Sequence, residues 1–369
     1  MKADAYGHGL VPVAKALADA GADGLCVAAL DEGLLLREAG IDVPILVLYP
    51  IPPALASVAA AARLAVTAGD PALLDQLLAT LRADPPPAPL DIQLEVETGL
   101  GRGGFLGDAL VEAARAVSAC PGVRLASAWT HFQAPADGPR TAAQVAAFER
   151  ATAALVAGGM PVPARHIAAS GGLLLEHVVS LDGVRPGLAI YGLPPDEFVA
   201  SGDGELEAGA ALRPVLSLHA RSVRVADLPA GWGISYGPSF TTSRPSRIAT
   251  LPMGYGDGWP RSLSNRASAL VRGQRVPLVG TVAMDAVMAD VTDVPGLPVG
   301  VADEFVLIGS QGSEQITVAE LAAARGTVSW EVITSLAGRL PRVYHAASVP
   351  RETRTLVAGE VGGRRSTRP

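Results

Sequence analysis

The sequence predicts an α/β protein, a TIM-like (β/α)8 barrel followed by a C-terminal antiparallel β-domain. Three observations carry that expectation. Up to about Leu193, short β-rich apolar runs alternate with Ala/Leu-rich stretches of helical period, the pattern of parallel strands joined by crossover helices. Beyond a Pro/Gly/Glu-rich linker, Pro194 to Gly209, the alternation becomes that of strands with one wet face. The length, 369 residues, exceeds one ordinary core and suits a barrel with a smaller partner.

The barrel strands are expected in order: one ending near Lys2, then Gly24 to Leu30, Pro44 to Tyr49, Leu64 to Ala68, Leu90 to Val96, Leu125 to Phe132, Ala164 to Ser170 and Gly183 to Gly192. Helical periodicity falls between them at Val11 to Ala20, Asp31 to Ala39, Pro71 to Arg82, Asp108 to Ala119 and Ala142 to Ala157. The second half offers Val215 to Val225, Arg247 to Met253, Ala269 to Gly273 and Glu304 to Gly309 as strands, with one helix at Thr317 to Arg325. The domains are therefore drawn as 1–208, 209–345 and a disordered tail, 346–369, whose residues carry no apolar period.

Composition narrows the function. With 49% hydrophobic and 18% charged residues the chain can bury a large core. Its 29 Lys and Arg against 36 Asp and Glu give a net charge of -7, which offers no footprint for nucleic acid and favours a small-molecule substrate. No apolar run reaches the roughly 18 residues that span a bilayer, so no membrane partner is expected. Cys26 and Cys120 lack metal-ligand spacing, which argues against a zinc site and suits a reducing, cytoplasmic setting.

In such barrels chemistry sits at the C-terminal ends of the strands. The polar residues there are Lys2, Glu95, Glu97, His131, Ser170 and Arg185. Read alone, Lys2 is an ordinary solvated lysine. Partly desolvated in a barrel mouth, it becomes an amine able to bind a carbonyl cofactor covalently. In LDIQLEVE the two-residue period puts Ile92, Leu94 and Val96 on one face and Gln93, Glu95 and Glu97 on the other, so Glu95 is expected in the mouth.

Seven segments then occur in one order: KADAYGHG from Lys2, ETGLGRGGF (Glu97 to Phe105), THF with a nearby Ala-Asp (Thr130 to Asp137), VRPGLAIYG ending at Gly192, GISYGPSF (Gly233 to Phe240), GYGDGWPR (Gly254 to Arg261) and GTVAMDAVM (Gly280 to Met288). Together they resemble the alanine racemase family over nearly the whole chain, although any one alone would be weak. The resemblance implies a pyridoxal 5'-phosphate (PLP) dependent isomerase that interconverts L- and D-alanine and supplies D-alanine for peptidoglycan.

What the resemblance implies for residues is specific. Lys2 carries PLP, and Lys2 and Tyr236 act as opposed bases on one Cα, with Tyr236 reaching across a homodimer interface. Arg185 faces the pyridine nitrogen and, unable to give up its proton, keeps that nitrogen unprotonated. Tyr6, Ser170 and the main chain of Gly187 and Leu188 take the phosphate, and His131 lies beside the ring. Arg102 and the Met284 backbone hold the substrate carboxylate, and Tyr255 borders the entry channel. Asp257 and Asp285 read as structural hydrogen-bonders.

The chain departs from the family pattern in five places. Many members carry a carbamylated lysine seven residues before the arginine matched by Arg102. Glu95 stands at that position and is expected to orient Arg102 in its stead. Ala169, Ala283 and Ala286 replace a usual Asn, Cys and Gln, which leaves open a serine or broader-specificity racemase on the same scaffold. The resemblance also places roughly 35 to 40 residues, including most of a first barrel strand, before the lysine. An in-frame upstream continuation is expected on that ground, and a chain truly starting at Met1 would be an inactive or non-catalytic PLP-binding protein. A PLP carrier of the same barrel type would lack the β-domain with Tyr236. A decarboxylase or aldolase would use an acidic partner for the ring nitrogen or a metal, and Arg185 and the absent metal-ligand spacing oppose these.

Overall fold

The computed structural model describes residues 1–161, 163–175, 181–200, 212–346 and 348–355. The expected 208/209 boundary and residues 356–369 of the expected tail lie outside them. The chain divides into two compact units, Met1–Val215 and Leu216–Pro369.

The first unit is a parallel sheet of seven strands in sequential order: β1 (Leu25–Val27), β2 (Ile45–Val47), β3 (Leu64–Ala68), β4 (Leu90–Glu95), β5 (Val123–Trp129), β6 (Ala164–Ala169) and β7 (Gly183–Arg185). It is a nearly closed (β/α) barrel, as the periodicity predicts. Helices Leu30–Glu38, Pro71–Ala83, Asp108–Ser118 and Gly138–Ala157 bridge successive strands, and helix Leu10–Asp19 precedes β1. Their starts follow from the sequence: Asp70 accepts the Leu73 N–H ahead of Pro71, and Asp137 accepts the Arg140 N–H ahead of Pro139. Ile45, Leu64, Val66, Leu90, Ile92 and Leu94 are buried beneath these helices and form the core.

Two details correct the sequence reading. An eighth strand ending near Lys2 is not found among the described residues. Lys2–Tyr6 instead forms a left-handed turn, with φ of 54° at Ala3, Asp4, Ala5 and Tyr6. β7 also ends at Arg185 rather than Gly192, because Pro186 brings no N–H to the ladder, and Leu188–Tyr191 forms a 3-10 turn.

The second unit is an antiparallel sheet built from β8 (Leu218–Arg221), β9 (Arg224–Leu228), β10 (Ser246–Leu251), β11 (Ser268–Val271), β12 (Gln274–Val279), β13 (Val287–Asp290), β14 (Glu304–Gln311) and β15 (Glu314–Ile316). The order is β15-β14-β11-β12-β13-β10-β9, with β8 paired to β14. The expected strand Val215 to Val225 thus breaks into two that join different neighbours. Helix Val318–Arg325 starts on a Thr317 cap and stops at Gly326, whose φ of 71° suits glycine. A hairpin, Arg342–Ala346 with Val349–Arg354, carries pairing into the segment expected as tail.

Candidate active site

Lys2 opens the left-handed turn. The turn is closed by Asp4, whose carbonyl accepts the Gly9 N–H at 2.8 Å and whose carboxylate accepts the Leu10 N–H at 2.8 Å. Burial, then the positive charge of Arg102, lowers the Lys2 ammonium below its ordinary pKa, which enlarges the fraction of free amine. Tyr6 leaves the same turn with its ring 5.1 Å from that of Tyr191, and Tyr191 also stacks on His8 at 4.3 Å.

The Tyr6 hydroxyl abuts Gly187 so closely that a Cβ there would lie 2.6 Å from it. At the same point Ser170, at the end of β6, accepts the N–H groups of Gly187 at 2.8 Å and Ala189 at 3.1 Å. Ala189 was missed by the sequence reading, which named buried Leu188 beside it. With two bonds accepted, the Ser170 hydroxyl keeps its own proton for an incoming anion. Two hydroxyls and a glycine main chain meet here, which suits the phosphate of PLP.

Arg185 ends β7. Its Nη2 donates to the carbonyl oxygens of Thr130 at 2.7 Å and Ile167 at 3.4 Å, and to His131 Nδ1 at 3.4 Å. Nη1 donates to His166 Nδ1, and the guanidinium carbon stands 4.8 Å over the Trp129 ring. Arginine has no acceptor, so both Nδ1 atoms are bare. Burial first, then the charge of Arg185, lowers His131 and His166 to about 3, and both rings are neutral. Nε2–H of His166 is accepted by Gln93 Oε1 at 2.9 Å, with Ser127 Oγ at 3.1 Å. Burial lowers Arg185 itself to about 10, so it stays charged at neutral pH. His166, Gln93 and Trp129 were not legible as site residues. They come together through strand register, Trp129 opposite His166 and His166 opposite Gly183.

Glu95 ends β4 and is buried. The following loop folds back along the strand, with the Phe105 N–H on Glu95 O at 2.8 Å and the Gly104 N–H on Gly69 O at 2.9 Å. That return brings Arg102 Nη2 to 3.0 Å from Glu95 Oε1. Glu97 accepts the Gly99 and Gly101 N–H groups and so shapes the loop. Buried Gln144 holds the base of the same region, donating to Thr98 Oγ1 at 3.1 Å and His131 O at 3.0 Å.

In the second unit Tyr236 follows Ser235, whose backbone is left-handed at φ 64° and whose hydroxyl donates to Thr281 O at 2.6 Å. The loop leaves the Tyr236 side chain 75% exposed. Tyr255 and Met284 sit on adjoining turns and are also exposed. A cavity of about 490 Å³ is lined by Tyr255, Gly256, Arg261, Arg325 and Ser335, among others. Among the described residues no group of His, Cys, Asp and Glu could hold a metal ion.

The chain matches the family models "Alanine racemase, N-terminal domain" over residues 1–195 and "Alanine racemase, C-terminal domain" over residues 215–344. It is 43% identical over 347 residues to an alanine racemase of Symbiobacterium thermophilum, covering 93% of this chain and 89% of that protein. Among solved structures, the Bacillus anthracis alanine racemase with bound L-Ala-P superposes with a TM-score of 0.86 at 33% identity, covering 95% of this chain and 89% of that one. The Streptomyces coelicolor enzyme gives a TM-score of 0.82 at 33% identity, covering 93% and 90%. With both domain models and relatives of this coverage in agreement, the chain belongs to the alanine racemase family.

Proposed function

We propose that this chain interconverts L- and D-alanine with PLP held on Lys2, Lys2 and Tyr236 serving as the two opposed proton-transfer groups. The observation that carries the reading is the buried Arg185 guanidinium, held by neutral acceptors at one side of a cradle made by Tyr6, Ser170 and Gly187. When bound, PLP withdraws electrons from the substrate and makes its Cα–H acidic. Lys2 would hold the cofactor covalently, and Tyr6, Ser170 and the main chain of Gly187 and Leu188 would take its phosphate.

Burial, and after it the neighbouring positive charge of Arg102, favours the Lys2 free amine, which takes or returns a proton at Nζ. Tyr236 holds a proton at its phenol oxygen on the opposite face, and its exposure suits a side chain that completes the site of a second copy. Arg185 keeps its proton and presents only donors to the ring nitrogen, and His131 stays neutral beside it. Arg102, oriented by Glu95, and the Met284 N–H bind the substrate carboxylate, with Tyr255 at the entry. The homodimer acts in the cytoplasm, where Cys26 and Cys120 remain thiols.

The test is a coupled assay of the chain loaded with PLP on L-alanine, L-serine and their D-forms. No racemisation of any would sink the reading, and a preference for serine would move it to the broader-specificity alternative. Mixing Lys2→Ala and Tyr236→Phe chains, each inactive alone, should restore about a quarter of the activity, because half the dimers then hold one intact site. No recovery would place both groups in one subunit.

A further inference from the structure

We propose that Arg339 is a positioning residue for the substrate carboxylate: it ties the Tyr255 turn to the Met284 turn and thereby aims the Met284 N–H. The inference rests on the reading above, in which Met284 and Tyr255 border the substrate.

Arg339 Nε donates to Asp257 Oδ1 at 2.6 Å and Nη2 donates to Asp285 Oδ1 at 2.6 Å. The two carboxylates belong to different turns, so one rigid planar fork fixes the distance between them. Asp257 is buried, and its second oxygen accepts the Gly254 N–H at 2.9 Å. Its carbonyl accepts the Ala337 N–H at 3.0 Å, which anchors the segment carrying Arg339 to the same turn.

The turns also meet directly. The Tyr255 N–H donates to Ala283 O at 3.0 Å and the Gly256 N–H to Met284 O at 2.9 Å. The contact is close enough that a Cβ on Gly256 would lie 2.7 Å from Arg339 Nη2 and 3.1 Å from Met284 O. The peptide joining Ala283 and Met284 is planar and trans, so its C=O and N–H point in opposite directions. Binding Ala283 O to Tyr255 therefore sets the direction of the Met284 N–H. Arg339 bonds to Asp257 and Asp285, each two residues beyond a partner of that bond, and so holds the two turns that carry it.

The experiment uses the full chain loaded with PLP: wild type, Arg339→Met, Arg339→Lys, Asp285→Asn and, as a surface-clamp control, Arg275→Met. KM and kcat are measured in both directions, with the inhibition constant of propionate, which has alanine's carboxylate without its amine, and the melting temperature. Arg339→Met should raise KM and the propionate constant together by on the order of ten-fold, while kcat moves by less than about three-fold. Lysine supplies a point charge instead of a fork, so Arg339→Lys should restore only part, and Asp285→Asn should shift the same two constants less. Unchanged KM and propionate constants, or a fall in kcat alone, would overturn the proposal. Should Arg339→Met fail to fold, Arg339→Lys and Asp285→Asn decide it by the same two constants. A wild-type chain without racemisation would instead overturn the functional reading, a separate outcome.

Discussion

Arg185 and His166 form a buried pair in which a guanidinium N–H donates to a bare imidazole nitrogen, and the opposite nitrogen of that ring donates to Gln93. The pair carries one charge. His166 therefore acts as a spacer with a fixed tautomer, and it orients Arg185 while leaving the guanidinium charge uncompensated.

Replacing His166 by leucine removes an acceptor from a buried cation and should cost about 1–3 kcal/mol of stability. Thermal unfolding of His166→Leu measures it. A Tm equal to wild type would show that water or another acceptor takes over at no cost, against the role assigned to His166.

The two neutral histidines give stability a pH dependence of definite sign. Both folded-state values, about 3, lie below the roughly 6.5 of an unfolded chain. Below 6.5 the unfolded state binds protons that the native site refuses, so stability falls with falling pH, down to about 3. The slope is at most about 1.4 kcal/mol per pH unit for each histidine. Melting temperatures of wild type and a His131→Gln, His166→Gln chain across this window test it, and equal slopes would refute the assignment.

Glu95→Ala leaves Arg102 without the carboxylate that lies 3.0 Å from it. KM for alanine should rise by about ten-fold, with a smaller change in kcat, because an interaction that orients bound substrate is lost. Steady-state kinetics unchanged from wild type would remove Glu95 from the site.

Alanine at Gly187, whose backbone stands at φ -117° and ψ -88°, would put its methyl 2.6 Å from the Tyr6 hydroxyl, so one of the two must shift. Gly187→Ala should weaken PLP binding by on the order of ten-fold. Titration of the cofactor-free chain with PLP reads this directly, and an unaltered Kd would mean that the cradle lies elsewhere.

Strands were legible where apolar runs are bounded by turn residues. Leu64–Ala68 has the predicted limits, and β4 differs from its expectation only by ending at Glu95. The strand Gln274–Val279 was not, because Gln274 and Arg275 are polar and Pro277 cannot donate to a ladder. Helix Ala56–Ala61 lies in an Ala-rich run without the amphipathic period that marks the others. Within the site, Lys2, Arg102 and Arg185 were found from contiguous motifs. Gln93, Trp129 and His166 sit on three strands and have no local signature. Only sheet register brings them together, and register is a property of the fold.

The left-handed turn at Lys2–Tyr6 has a wider consequence. Four of its five residues, Ala3 to Tyr6, are held in a conformation that costs about 1–2 kcal/mol each against the right-handed form, so the free peptide would not adopt it. Its shape is imposed by the Asp4 bonds and by Tyr6 and His8 packed on Tyr191. Transplanted into another scaffold, the eight residues KADAYGHG would keep their letters and lose the arrangement that sets the lysine and the tyrosine at the two ends of one turn. The placement of Lys2 is thus a property of the assembled barrel rather than of its local sequence.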